Sequence, residues 1–132
     1  MTESCFVNFV FTPEQVLKNL QNARRDLDIS RRDAFLEVKF SYAYNALLKA
    51  GIALLSGNNL KVRSVPGHHA RIIEKLAELL GDTAVEDLGN VMRTRRNADL
   101  YAGGTDVTEK DCGEYLVFVE SVVVRVGEKL KS

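Results

Sequence analysis

The sequence predicts an all-α protein, folded as an up-and-down helical bundle of four long helices plus a shorter N-terminal helix. Three observations lead to this prediction. Apolar residues recur every three or four positions over long stretches, Ser or Thr stands three residues before an acidic or amide residue where helices should begin, and glycines follow where helices should end. We expect a single domain over residues 1–132, a length that buries a substantial core.

Composition and charge limit the classes of function. Eighteen basic residues balance eighteen acidic ones, so any anion binding must come from a local cluster of charge. Cys5 and Cys112 stand apart, outside any metal-ligand spacing, and we interpret both as reduced thiols. The first residues lack the basic region of a signal peptide, and no apolar run has the length of a membrane span. We therefore expect a cytoplasmic protein without a membrane segment.

The N-terminal segment predicts an extended stretch followed by a helix. The run Cys5–Phe11 is too short and too apolar for a helix of its own, and we expect it to lie extended across the core. Thr12 as the N-cap, Pro13 in the first helical position and Gln15 three residues after the cap form the pattern of a capping box. The first helix should begin there.

A second helix is predicted to be the longest and the most buried. Ser30 and Asp33 have the spacing of a capping box, so we expect this helix to run from there to about Ser56, before Gly57 and two asparagines. Its apolar band is wide enough to predict a central helix with neighbours on several sides. Tyr44 is interpreted as a core aromatic whose hydroxyl reaches the rim. The segment 57–67 should be an exposed loop.

Two helices joined by a short turn should follow this loop. The third begins at His68 and ends at Gly81, a residue typical of helix C-termini. The spacing of Thr83 and Glu86 predicts the capping box of a fourth helix, which should end at Gly103. Because the connection is so short, these two helices should be antiparallel neighbours.

The last helix is predicted from Thr108 to about Leu130, with a capping box between Thr108 and Asp111. The run Leu116–Val126 is dense in valine and has the propensity of a strand. We nevertheless predict a helix, because no turn residue divides the run and a single strand among helices would have no partner.

The fourth helix carries the most unusual chemistry in the chain. Arg95 falls on its apolar stripe, where an unpaired charge costs roughly several kcal/mol, so it needs a carboxylate, a phosphate or water. Asp99, one turn further on, could pair with it. Arg96 flanks the stripe, and three further polar side chains should point toward solvent or another subunit: Arg93, Asn97 and Tyr101.

The antiparallel arrangement of the third and fourth helices should bring His68 and His69 level with Arg95, Arg96 and Asn97. A helix N-terminus offers free N–H groups and a partial positive charge that favours anions. We therefore expect a phosphate or nucleotide site, although each histidine alone is better explained as a solvated or packed helix-start residue. Two adjacent histidines on a helix cannot both face one metal ion, so we expect no metal and no cofactor. Aromatic residues do not alternate with the basic ones as a single-strand-binding surface would require.

Three segments together resemble one family. The stretch Tyr42–Ala50, the helix start Gly67–His69 and, above all, Arg96–Tyr101 resemble the HEPN superfamily. Its members are small all-helical bundles, commonly dimeric, found in prokaryotic toxin-antitoxin and defence systems and in RNA processing. The resemblance spans about Ser30 to Leu130 and implies a homodimer with an interface along the fourth helix.

In ribonucleases of that family, an arginine and a neighbouring polar residue precede a histidine within about two turns of helix. Arg96 and Asn97 match the first two positions, and the histidine position falls on Tyr101. A phenol with a pKa near ~10 is a poor general base at neutral pH, but it can donate a hydrogen bond to phosphate or stack on a base. The substitution therefore preserves binding more readily than cleavage.

We accordingly predict a HEPN-like protein that binds RNA or a nucleotide phosphate. One alternative is a non-catalytic interaction module, either a homodimer or the partner of a nucleotidyltransferase. Another is a metal-independent ribonuclease, with catalytic candidates Arg96, Tyr101, His68 and His69. The predicted phosphate-binding residues are Arg93, Arg95, Arg96, Asn97, Tyr101, His68 and His69.

Overall fold

The computed structural model describes residues 5–101 and 107–131, with the side chains of residues 99–101 outside that description. These residues form mainly helices, as the sequence predicts, together with one small sheet. The shortest of the helices is α3 with 13 residues, whereas α1 has 20, so the prediction of a shorter N-terminal helix is wrong. The elements in chain order are β1 (Phe6–Asn8), α1 (Pro13–Arg32), α2 (Leu36–Gly57), β2 (Leu60–Val62), α3 (His68–Leu80), α4 (Thr83–Tyr101) and α5 (Glu109–Lys131).

Helix α2 occupies the centre of the molecule. It packs against α1, α3, α4, α5 and β2, which confirms the prediction of a central helix with several neighbours. An apolar band all round a helix is typical of such a position, because each face is covered by another element. The largest fully buried side chains include Phe40, Tyr44, Leu47 and Leu55 of α2, Ile72, Ile73 and Leu76 of α3, Met92 of α4, and Val119, Val122 and Val126 of α5.

Two helices begin with the capping boxes that the sequence predicts. The Thr12 hydroxyl accepts the Gln15 N–H at 3.2 Å, and the Gln15 side chain accepts the Thr12 N–H at 2.9 Å. At α5, the Asp111 N–H donates to the Thr108 hydroxyl at 3.0 Å, and the Asp111 carboxylate accepts the Thr108 N–H at 3.3 Å. Each box satisfies two N–H groups that a helix start otherwise leaves without acceptors.

The predicted capping box at Ser30 and Asp33 is wrong. Helix α1 continues through Arg32, and Ser30 lies inside it with only 1% of its surface exposed. The Ser30 hydroxyl donates to the carbonyl oxygen of Lys39 at 2.7 Å, so it joins α1 to α2 instead of starting a helix. Asp33 accepts the N–H of Phe35 at 2.9 Å and thereby shapes the turn between the two helices.

The turn between α3 and α4 is as short as predicted, but its cap lies one residue earlier. Gly81 ends α3 in the left-handed region, with φ of 66°. The side chain that caps α4 is the carboxylate of Asp82, which accepts the N–H of Ala84 at 3.0 Å, and not the hydroxyl of Thr83. Asp82 also pairs with Arg125 of α5 at 2.9 Å, which holds the turn against the last helix.

The segment 57–67, predicted to be an exposed loop, contains strand β2. It pairs antiparallel with β1, and two further bonds extend the ladder, from Phe9 N to Asn59 O at 3.0 Å and from Arg63 N to Cys5 O at 2.7 Å. Asn59 adopts a positive φ of 61°, which turns the chain from α2 into the strand. The N-terminal segment is therefore extended, as predicted, but it lies along the surface instead of crossing the core, because its hydrogen-bonding partner is there.

The valine-rich run Leu116–Val126 is helical, as predicted, and forms the middle of α5. Cys5 and Cys112 are both buried free thiols. The predicted end of the fourth helix at Gly103 lies outside the described residues. Among the helices that the structure describes, none combines the length and the apolar character needed to cross a membrane.

Candidate anion-binding site

A cleft of about 560 Å³ lies where the N-terminus of α3 meets α4. It is lined by residues 64–70, which include both histidines, and by Arg93, Arg96 and Asn97. The short α3–α4 turn produces this meeting, since antiparallel helices place the start of one beside the end of the other. Five of the seven predicted phosphate-binding residues therefore share one cavity: His68, His69, Arg93, Arg96 and Asn97.

His69 is held at the back of the cleft by a buried tyrosine. The Tyr44 hydroxyl lies 3.4 Å from Nδ1 of His69. Burial raises the pKa of Tyr44 to about 12, although Arg93 and Arg96 oppose this rise, so the phenol stays protonated. The pKa of His69 is lowered, first by burial and then by the neighbouring His68, Arg96 and Arg93. A phenol O–H that donates to Nδ1 leaves the imidazole proton on Nε2.

His68 is fixed by the loop that precedes α3. Its Nδ1 lies 3.0 Å from the carbonyl oxygen of Val65, and because a carbonyl can only accept, this nitrogen carries a proton. The rings of His68 and His69 lie edge to face, with centroids 4.5 Å apart. The contact with Val65 orients the His68 ring and leaves its Nε2 without a partner in the loop.

The backbone at the start of α3 adds hydrogen-bond donors to the cleft. Its N-cap is Gly67, which has a φ of 78° and no side chain to accept the first N–H groups of the helix. The N–H of His68 donates to the carbonyl oxygen of Val65 at 3.1 Å, so the donors that have no acceptor among the described residues are the N–H groups of His69 and Ala70, beside the partial positive charge of a helix N-terminus. This end of α3 therefore favours an anion in the cleft.

The two arginines of the cleft have no carboxylate partner among the described residues. Arg96 lies with its guanidinium carbon 5.6 Å from the centroid of the Tyr44 ring, a cation–π contact that leaves its N–H groups available. Arg93 donates from Nε to the side-chain oxygen of Asn90 at 3.2 Å. Positive charge is thus concentrated at one place on a chain whose formal net charge is zero.

Arg95 was predicted among the phosphate-binding residues, but it does not line this cleft. Its guanidinium points to α5, where it donates to Asp111 at 2.9 Å and to the Tyr115 hydroxyl at 3.4 Å. The Arg95 hydrogen bond is the main reason why the pKa of Asp111 is lowered. The carboxylate that the sequence requires for Arg95 is therefore that of Asp111, while the side chain of Asp99 lies outside the described residues.

Tyr101 belongs to α4 by its backbone, but its side chain lies outside the described residues. Its predicted place in the phosphate site is not tested. The residue that sequence reasoning assigned only to the core is Tyr44, which the structure places behind His69 and beneath Arg96. The sequence does contain a signal for this role: the hydroxyl of Tyr44 lies in the middle of an apolar band, and a buried polar group requires a hydrogen-bond partner.

Comparison of the chain with protein-family models, with curated proteins and with solved structures found no match. Fold and site together define a mainly helical domain with a cationic cleft at a helix N-terminus. Two guanidinium groups, helix N–H groups and imidazoles line this one cavity, and groups of these kinds hydrogen-bond anions such as phosphate.

Proposed function

We propose that the protein is a HEPN-like helical domain that binds RNA, or a nucleotide phosphate, in the cleft between α3 and α4. The observation that carries the proposal is the meeting of Arg93 and Arg96, both without a carboxylate partner among the described residues, with the uncapped start of α3. The resemblance of Arg96–Tyr101 to the family motif supports the same position. The up-and-down arrangement of the bundle and a toxin-antitoxin or RNA-processing setting belong to this proposal.

The groups of the cleft would divide the work of holding a phosphate. Guanidinium groups donate two parallel hydrogen bonds to phosphate oxygens, which makes arginine the preferred residue for this task. The N–H groups of α3 add donors along the helix axis. Nε2 of His69 is a further donor in the tautomer in which the Tyr44 hydroxyl donates to Nδ1. Asn97 is exposed at the rim and can bond a ribose or a second phosphate.

The test is the affinity of the protein for a labelled RNA in metal-free buffer. We expect Arg96→Ala to weaken binding by about tenfold or more, since hydrogen bonds to charged groups contribute roughly 1.5–3 kcal/mol each. The matched control is Arg71→Ala, which removes the same charge from an exposed position on α3 that pairs with Glu74 at 3.1 Å. An Arg96→Ala variant that binds as tightly as the control would refute the proposal.

A metal-independent ribonuclease is a second candidate, and the position of His68 favours it. Its Nδ1 is committed to Val65, so Nε2 is the atom that could exchange a proton with a ribose hydroxyl in the cleft. Incubation of the same RNA with the protein and with His68→Ala tests this candidate. Cleavage that survives both His68→Ala and His69→Ala would exclude it.

An interaction module is the remaining candidate, and the exposed apolar face of α4 favours it. Leu88 and Val91 are 39% and 52% exposed, and Val91 borders a separate cleft of about 590 Å³ with Ala98 and Tyr115. Such a face suits a second copy of the chain or a nucleotidyltransferase partner. Sedimentation of the protein and of Val91→Glu tests the dimer: a dimer that dissociates in the variant supports it, and a monomeric parent protein rejects it.

A further inference from the structure

The cationic cleft continues into a second pocket that the proposed phosphate site does not use. This pocket has a volume of about 300 Å³, large enough for a nucleobase, and shares Ser64, His68 and His69 with the cleft. Its floor is apolar, and Asn19 contributes an amide to its wall. An apolar floor with a few polar groups at the side is the environment that a base requires, since a base has apolar faces and a hydrogen-bonding edge. The apolar residues of the floor are Leu48, Ile52, Leu60 and Ile72.

Beyond this pocket lies an aromatic surface formed by β1 and its continuation. Phe11 lines the pocket, and its ring contacts the ring of Phe9 with centroids 4.7 Å apart. Phe9 is 43% exposed, and the ammonium group of Lys61 lies 5.2 Å from the centroid of its ring. We call Phe9, Phe11 and Lys61 the aromatic platform. It corrects the expectation that aromatic and basic residues stay apart, because strand pairing brings together residues that are about fifty positions apart in the chain.

We propose that the ligand is a single strand of RNA that runs from the cationic cleft to the aromatic platform. A phosphate lies between Arg93 and Arg96, one base enters the apolar pocket, and a following base stacks on Phe9. This inference rests on the proposed function, because it takes the cleft as the phosphate site. It goes further by naming the ligand as a single strand and by assigning a place to two of its bases.

The chemistry of the three adjoining regions selects a single strand. Bases in a duplex are stacked on one another and cannot reach a pocket or a platform, whereas the bases of a single strand are free to do so. A mononucleotide would occupy the cleft and the pocket but would leave the platform unused. Stacking on aromatic rings beside a cation is also tolerant of sequence, so the platform should bind any base and prefer purines for their larger faces.

The test compares RNA probes with and without bases. The probes are a hexanucleotide of adenosine, the corresponding oligomer with abasic sites, and a mononucleotide. We expect Phe9→Leu to weaken binding of the adenosine hexanucleotide by about tenfold, in the range of base–aromatic stacking. The variant should not change binding of the abasic oligomer or of the mononucleotide, because neither uses the platform.

Two further variants separate stacking from folding. Phe9→Tyr keeps the aromatic face and should restore the affinity of the parent protein. Val10→Ala is the matched control, since Val10 is the neighbouring residue, is 80% exposed and has no ring. Loss of affinity in Phe9→Tyr or in Val10→Ala would show that the strand is merely structural and would overturn the inference.

The outcomes distinguish this inference from the proposed function. If abasic and adenosine oligomers bind equally and both depend on Arg96, the base path is wrong and the phosphate site stands. If Arg96→Ala leaves every probe unaffected, the phosphate site is wrong as well. Equally tight binding of a duplex would also overturn the base path.

Discussion

At the scale of single residues, His69 makes the stability of the protein depend on pH. Its pKa in the folded state is lowered below 6.5 by burial and by neighbouring positive charge. Below about pH 6.5 the unfolded chain therefore binds more protons at this imidazole than the folded protein does, so folding releases protons. We expect the free energy of unfolding to be at its full value above about 6.5 and to fall as the pH drops from there through the pKa of folded His69.

Urea unfolding at a series of pH values measures this effect in the parent protein and in His69→Asn. In the variant, the free energy of unfolding should no longer depend on pH between about pH 6.5 and the pKa of folded His69. It should still depend on pH in more acidic solution, where carboxylates such as Asp111 titrate. Parallel curves for the two proteins would show that His69 does not contribute.

Arg95 shows what could be predicted for a residue and what could not. Its place on the apolar stripe predicted that it needs a carboxylate, a phosphate or water, and the structure supplies a carboxylate in Asp111. The identity of the partner could not be predicted, because it depends on how α5 docks against α4. Local spacing suggested Asp99 only because it is the nearest carboxylate on the same helix.

Arg95→Met should leave RNA affinity unchanged and reduce stability at neutral pH. The ion pair lowers the pKa of Asp111, so its contribution is present above the ordinary value of about 3.8 and is lost as the pH falls below it. Thermal unfolding at neutral and at strongly acidic pH tests this: the difference between variant and parent should shrink in acid. If the variant and the parent differ in thermal stability by the same amount at both pH values, Arg95 stabilises the protein through packing and not through its charge.

At the scale of elements, the capping pattern predicts a helix start only where the Ser or Thr hydroxyl has no other hydrogen-bond partner in the fold. Thr12 and Thr108 are exposed to solvent at their helix starts and form the expected boxes. Ser30 has the same sequence pattern, but it is buried and bonds to a carbonyl of the next helix. Strand β2 could not be predicted, because three residues carry little pattern and their partner lies before α1.

Gly89 allows α4 to approach α3 closely. A Cβ atom there would lie 2.6 Å from Cγ2 of Ile73, which is fully buried and has no room to move. We expect Gly89→Ala to lower the free energy of unfolding, since overpacking costs about 1–3 kcal/mol and exceeds the roughly 0.5–1 kcal/mol gained in helix propensity.

The matched control is Gly113→Ala in α5, where a Cβ atom would meet nothing within 4 Å. That variant should be more stable by about 0.5–1 kcal/mol and should bind RNA as the parent does. Chemical denaturation of the two variants beside the parent measures both effects. Stabilisation by Gly89→Ala would contradict the close packing of α3 and α4.

At the scale of the whole molecule, the meeting of His68 and His69 with Arg96 was predictable because it depends on one short turn. Two helices joined by a tight connection must run side by side, whatever the rest of the chain does. The aromatic platform was not predictable, because it depends on the pairing of strands on either side of two long helices. Residues that meet in the fold but lie far apart in the chain produce no periodicity or spacing in the sequence from which their contact could be predicted.

The strand pair closes a loop that contains all of α1 and α2, yet it consists of only two three-residue strands. Pairs this short are marginal by themselves, and here only a few partly buried side chains, those of Phe6, Leu60 and Val62, pack the two strands against the helical core. We expect the amide hydrogens of Phe9 and Arg63 to exchange with deuterium much faster than those of Leu47 and Leu55, as mass spectrometry would show. Equal protection would mean that strands and helices open only together.

The two halves of the proposed binding surface would then have different lifetimes. The phosphate-binding half is built on packed helices and persists as long as the fold does. The aromatic platform depends on the strand pair, which we expect to open more readily than the helices, so a strand of RNA would be held continuously at the phosphate and intermittently at the base that stacks on Phe9.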